Sequence, residues 1–198
     1  MVLFLNIFVK NKTMKKILIT LILVLSSITI QAQEELTWHT DLDNAILISK
    51  AEQKPLFFFF TGSDWCGWCI RLQNEVFKTP EFIAWAKEKV VLVELDFPRR
   101  TPQSDALKLQ NSQLQQFFQV RGYPTVWFAK VGAPVEGKTS FQQLGSTGYV
   151  AGGPTVWLDG SSKIISSFVP YTKEEQDAAK KLLKKNKATK KKSTKKKA

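Results

Sequence analysis

Cysteine and histidine are almost missing from this chain: Cys66, Cys69 and His39 are all there are in 198 residues. A closed structural zinc site takes four Cys or His ligands, which argues against zinc within one chain, and no metal is expected. A fold-stabilising staple is also a poor use of the pair. Stabilisation by loop closure grows with loop length, and a C-x-x-C loop is about as short as loops get. Acid is missing from the C-terminal end, where eleven lysines and no Asp or Glu lie between Lys180 and Ala198. The remaining chain holds 18 basic residues against 17 acidic ones, so the net charge of +12 belongs to a tail. Without Lys10, Lys12, Lys15 and Lys16 near the N-terminus, the balance is 14 against 17 and the body is slightly acidic.

That tail, "KKNKATKKKSTKKKA", lacks apolar residues and repels itself, which predicts disorder over 187–198. It also lacks aromatics between its lysines, which argues against a stacking surface for single strands and leaves no specific nucleic acid as a partner. Two readings remain, a solubilising tail and weak electrostatic contact with anionic envelope surfaces. A long apolar run is the next absence. Ile17 to Leu25 is the apolar centre of "MKKILITLILVLSSITIQA", residues 14–32, and falls short of the roughly 20 residues that span a bilayer. Lys15 and Lys16 before it and Ile30-Gln31-Ala32 after it give the pattern of a secretory signal cut before Gln33. An uncleaved anchor is the competing reading. The preceding "MVLFLNIFVKNKT" fits no part of a signal, so Met14 reads as the start; no Cys follows Ala32, which excludes a lipoprotein site. Export places the protein in the periplasm or outside the cell, where disulfide chemistry is the expected use of C-x-x-C.

What is there is an aromatic-rich body, with 14 Phe and 6 Trp in the chain. The expected organisation is an upstream extension and signal over 1–32, one domain over 33–172, a C-terminal helix over 173–186 and the tail. Asp41 or Asp43 can cap a helix that turns Ala45, Ile46, Ile48 and Ala51 inward and stops at Pro55. "PLFFFFT" reads as a central strand buried on both faces. After the turn "TGSD", Cys69, Leu72, Val76 and Phe77 recur at helical spacing, so Cys66 sits at a helix start. Thr79, Pro80 and Glu81 open another helix, "VVLVELDF" is a second buried strand, and "PRRTPQSDALKLQNSQLQQFFQV" begins as loop and ends as helix. "RGYPTVWFAKV" and "FQQLGST" form a strand pair around the loop "GAPVEGKTS". Residues 154–167 read as a helix carrying Trp157, Ile164, Ile165 and Phe168 on one face, although Asp159-Gly160 could turn a hairpin. Thr172 and Glu175 form a capping box for the last helix. The repeated "PTVW" is too short to be a domain repeat. This alternation gives an α/β/α sandwich with a central mixed sheet.

The motifs "TGSDWCGWC", "EVF", "DFP" and "GYPTVWF", in that order, make residues 36–168 resemble thioredoxin, and more closely the secreted bacterial thioredoxin-like proteins. The resemblance implies that Pro124 is cis and lies beside the cysteines, and that Tyr123 offers backbone groups to an extended substrate segment. It implies disulfide exchange, with Cys66 as the attacking thiolate at a helix N-terminus and Cys69 as the resolving sulfur. Trp65, Gly67 and Trp68 would border the substrate, with core packing as the alternative for both tryptophans. No cofactor is implied, and the partners are protein thiols and disulfides together with an electron donor.

Three features depart from the family pattern. Phe60 stands six positions before the first cysteine, where thioredoxins bury an acid, and Glu94 is a candidate substitute. The dipeptide between the cysteines is Gly67-Trp68, which leaves the redox direction open. About a dozen extra residues around "RRTPQSDALKLQ" read as a tolerated insertion. The leading function is therefore an exported thiol-disulfide oxidoreductase, a reductase or isomerase. The alternative is a non-catalytic interaction module that binds chains through Trp65, Tyr123 and Pro124.

Overall fold

The computed structural model describes residues 35–137 and 139–195. The signal segment expected at 14–32 and the last residues of the tail lie outside the described residues. A compact unit begins at Leu36.

Helix α1 (Leu42–Glu52) starts at Asp41, whose Oδ1 accepts from Asn44 N at 3.1 Å. Strand β1 (Leu56–Thr61) is buried along its whole length. A strand covered on both faces alternates its side chains between two layers. Phe57 and Phe59 accordingly enter one apolar cluster while Leu56, Phe58 and Phe60 enter the other. Strand β2 (Val91–Asp96) pairs with β1 in parallel, and β3 (Thr125–Val131) pairs with it antiparallel on the other side. Strand β4 (Phe141–Thr147) completes the order β2-β1-β3-β4. Beyond β2, His39 N donates to Leu92 O and His39 O accepts from Glu94 N, both at 2.9 Å, so a short extended segment lines that edge.

One layer holds α2 (Gly67–Leu72), which runs on through a π-helical turn (Gln73–Phe77), together with α3 (Pro80–Lys89) and α5 (Gly153–Ile165). Trp157 lies at its centre, edge-on or tilted against Phe57, Phe77, Phe82 and Trp85. The other layer holds α1, α4 (Asp105–Phe117) and Tyr171. This is the expected α/β/α sandwich with a mixed sheet.

The helix reading of 154–167 holds. Asp159 and Gly160 lie inside α5, because Trp157 and Ser161 must face inward together and Trp157 Nε1 donates to Gly148 O at 3.0 Å. The helix approaches β4 so closely that a Cβ on Gly145, at φ +151°, would sit 2.9 Å from Ile164 Cγ2. The last helix, α6 (Lys173–Lys195), opens with the capping box: Thr172 N donates to Glu175 Oε2 at 3.1 Å and Glu175 N to Thr172 Oγ1 at 3.3 Å. It continues past residue 186, where the lysine run suggested that order ends. No Gly or Pro interrupts it, and lysine itself is a good helix former.

Between the two ends of this layer runs a directional set of hydrogen bonds. Ser49 Oγ donates to Lys54 O at 2.6 Å, so its partner at 2.9 Å, Tyr171 OH, is the donor to it. Tyr171 OH in turn accepts from Val131 N at 3.0 Å.

Candidate active site

Cys66 is the N-cap of α2, with an extended backbone and a sulfur that accepts from Cys69 N at 3.2 Å. Its own N–H donates to Gly62 O at 2.8 Å, which folds the "TGSD" turn under the helix start. Cys66 and Cys69 are joined by a disulfide with a Cα–Cα distance of 5.3 Å. The two sulfurs are not equivalent: Cys66 is 6% exposed and Cys69 is 0% exposed. Gly67 has open space around it at the mouth of the pair.

The Tyr123-Pro124 peptide is cis, as the resemblance implied. Tyr123 brings this turn to the cysteine loop, because its ring meets Trp65 edge-on with centroids 5.7 Å apart. Gln115 Nε2 donates to the Tyr123 hydroxyl at 2.7 Å, and burial pushes that phenol's pKa up. Trp65 is fixed further by Nε1, which donates to Phe97 O at 2.8 Å.

Trp68 has a different setting. It is 55% exposed and lies against Tyr149 at 5.1 Å. The Arg71 guanidinium sits 5.3 Å from the Trp68 ring and 5.1 Å from the Tyr149 ring. Glu75 joins the group, accepting from Arg71 Nε at 2.7 Å and from Tyr149 OH at 2.6 Å. The Tyr149 hydrogen bond, with Arg71 beside it, holds the Glu75 carboxyl below the ordinary glutamate range. Sequence reasoning found Trp68 but missed Tyr149, which is 74 residues from Glu75 and carries no local signal.

Beneath the pair, Phe60, six positions before Cys66, packs on Phe118 in the opposite layer, while Phe57 and Phe59 of β1 lie in the cysteine layer. β1 carries no acid in either case. Glu94 is paired in register with Phe59 and so projects to the same face of the sheet. Burial, with Asp96 adding to it, pushes the Glu94 carboxyl up. Thr61 is fully buried at the end of β1, and its hydroxyl has no hydrogen-bond partner among the described residues.

The insertion after β2 is more than a tolerated loop. Asp64 Oδ1 accepts from Arg99 N at 3.0 Å, and Oδ2 accepts from Arg100 N at 2.7 Å and Thr101 N at 3.1 Å. The segment is thereby tied to the residue two places before Cys66. Residues 105–117 of the same stretch are helix α4, capped by Ser104.

The Thioredoxin-like domain family matches residues 42–148. Disulfide bond reductase DsbH of Chlamydia pneumoniae is 32% identical over 120 residues, covering 61% of this chain and 72% of that protein. Thioredoxin-related protein DsbJ of the same organism is 37% identical over 114 residues, covering 55% of this chain but only 33% of its own length. The solved structure of a DsbH oxidoreductase superposes with a TM-score of 0.59 at 29% identity, over 67% of this chain and 86% of that one. The mixed four-stranded sheet with its flanking helices agrees with these likenesses, and the chain belongs to the thioredoxin-like family as a thiol-disulfide oxidoreductase.

Proposed function

We propose that this protein is an exported reductase of protein disulfides, in which Cys66 attacks and Cys69 resolves. The observation that carries the reading is the asymmetry of the pair: one sulfur at a helix N-terminus at the mouth, the other sealed in the core layer. In the reduced protein the helix N-terminus favours the Cys66 thiolate. That thiolate forms a bond to one sulfur of a substrate disulfide and expels the other as a thiolate, which takes up a proton. Cys69, deprotonated, then attacks Cys66 Sγ and releases the second substrate sulfur. Two electrons pass to the substrate, and the product is the disulfide present here. A dithiol donor must return the electrons.

Direction is supported by residue 68. Tryptophan cannot carry a positive charge next to the Cys66 thiolate, so the reduced form gains no stabilisation there and the pair stays reducing. The name of the DsbH relative points the same way. Trp65, Gly67, Trp68, Tyr123 and Pro124 would border the substrate, and the backbone beside the cis bond suits an extended segment. Export rests on residues 14–32 and on the compartment in which such chemistry persists. The solvated lysines of α6, Lys180 to Lys187, would add weak contact with anionic envelope surfaces.

The test is trapping. Cys69→Ser is expected to accumulate mixed disulfides with exported proteins, since the bond formed at Cys66 is no longer resolved, and Cys66→Ser should trap far fewer. Equal trapping by the two variants, read on non-reducing gels, would overturn the assigned roles.

A further inference from the structure

The segment that follows β2 is fixed at the rim of the cysteine site by unusually many polar contacts. Phe97 N donates to Thr61 O at 2.9 Å, and Phe97 O accepts from the Trp65 indole. Farther along, Gln103 Nε2 and Asn111 Nδ2 donate to Asp96 O at 3.2 and 3.0 Å. Between them the Asp64 carboxylate gathers three successive N–H groups, those of Arg99, Arg100 and Thr101. Those bonds hold the Asp64 carboxyl below the usual aspartate range, so the clamp stays charged at neutral pH.

The clamp presents two exposed guanidinium groups. Arg99 lies over the face of Trp65, 4.1 Å from the ring centroid, and Trp65 adjoins Cys66. Stacking on a ring leaves the N–H edge of a guanidinium free for a carboxylate. Neither Arg99 nor Arg100 forms an ion pair among the described residues. Two carboxylates that shape this loop are engaged: Asp64 by Arg99, Arg100 and Thr101 N, and Asp96 by Ser63 N at 2.8 Å and Ser63 Oγ at 2.6 Å. Arg71 on the far flank offers no such charge, because Glu75 already pairs with it.

We propose that Arg99 and Arg100 form a basic rim that selects disulfide substrates whose reacting cysteine is flanked by acidic residues, and that Asp64 is the positioning residue for that rim. The inference rests on exchange at Cys66 and adds a substrate class to it. A guanidinium fork accepts a carboxylate in a two-point geometry. Beside a site that receives extended chain, the fitting anion is an Asp or Glu side chain of the polypeptide being reduced.

The experiment uses pre-reduced protein and two disulfide-linked peptides of equal length, one with Glu and Asp around the cysteine and one with Gln and Asn. Wild type should reduce the acidic peptide with a kcat/KM about fivefold higher at low salt, a preference of the size exposed ion pairs supply. The preference should shrink as salt screens it. In Arg99→Gln/Arg100→Gln the ratio should fall to about one, and in Arg99→Lys/Arg100→Lys only part of it should return, because an ammonium keeps the charge but not the two-point fork.

Asp64→Asn separates positioning from charge. Loss of a nearby negative charge alone would raise the preference for an acidic peptide, whereas release of the loop lowers it, and a lower ratio is expected. A wild-type ratio near one, a ratio unchanged in the double Gln variant, or a ratio raised in Asp64→Asn overturns the proposal. Failure of wild type to reduce either peptide would instead remove the exchange reading, and the rim proposal with it.

Discussion

Two tryptophans border the disulfide, and they are held in different ways. Trp65 is bonded through its indole to main chain, meets Tyr123 edge-on and is covered by Arg99. Trp68 is more than half exposed, and only side chains hold it: Tyr149 beside it, Arg71 near both rings, and Glu75 bonded to Arg71 and Tyr149. The first belongs to the fold as much as to the site. The second is an aromatic surface that substitution can alter without disturbing the core. One side of the cysteines is therefore built by backbone geometry and the other by a replaceable cluster.

The sharpest way to break this contrast is truncation. Trp65→Ala removes a partly buried ring and orphans its bond to Phe97 O, and is expected to lower unfolding free energy by about 3 kcal/mol. Trp68→Ala should cost less than about 1 kcal/mol. Urea unfolding of the oxidised forms measures both, and equal costs would erase the distinction.

Trp68→His tests whether the replaceable side senses the nucleophile. An imidazolium near Cys66 would stabilise the reduced form and raise the reduction potential, by about 30 mV for each 1.4 kcal/mol of stabilisation. Arg71 is close enough to oppose that charge, so the rise should be modest alone and larger when Arg71→Gln is added. Equilibration against glutathione reads the shift. A potential unchanged in both variants would detach residue 68 from the redox chemistry.

The smallest effect concerns pH. Glu75 is held below its ordinary value of 4.5 by Tyr149 and Arg71. A depressed carboxyl contributes its stabilisation above the unfolded value and loses it as pH falls through the folded one. The Trp68 indole N–H resonance should therefore stay constant down to about pH 4.5 and shift only below it. In Glu75→Gln that acid-dependent step should vanish. A step that persists in the variant would mean that another group reports there.

The sequence carried the fold wherever the cause was local. Asp41 and Thr79 cap the helices that follow them, and the Thr172–Glu175 box is formed. The four phenylalanines of β1 alternate as a doubly covered strand must. The cysteine pair and the cis-proline turn were legible because each is a short motif. What was hidden depends on chain segments meeting across the fold. Which face Phe60 takes follows from the register of a whole sheet, which no count along one strand supplies. Asp64 reaches residues 99 to 101, and Tyr149 reaches Glu75, through approaches that no window of sequence contains. The lysine run is ambiguous for another reason: its composition signals solvation, but it holds no Gly or Pro to end a helix.

The Tyr171 hydroxyl carries a consequence for how the molecule opens. It accepts from the amide of a strand residue, Val131, and it belongs to the segment that leads into the last helix. Lifting that segment away uncovers a strand amide and leaves Ser49 without its donor, so peeling of the C-terminal end is not a free local event. The Val131 amide thus keeps a record of the far end of the chain. Its exchange with solvent hydrogen counts the moments when the tail's root has let go of the sheet.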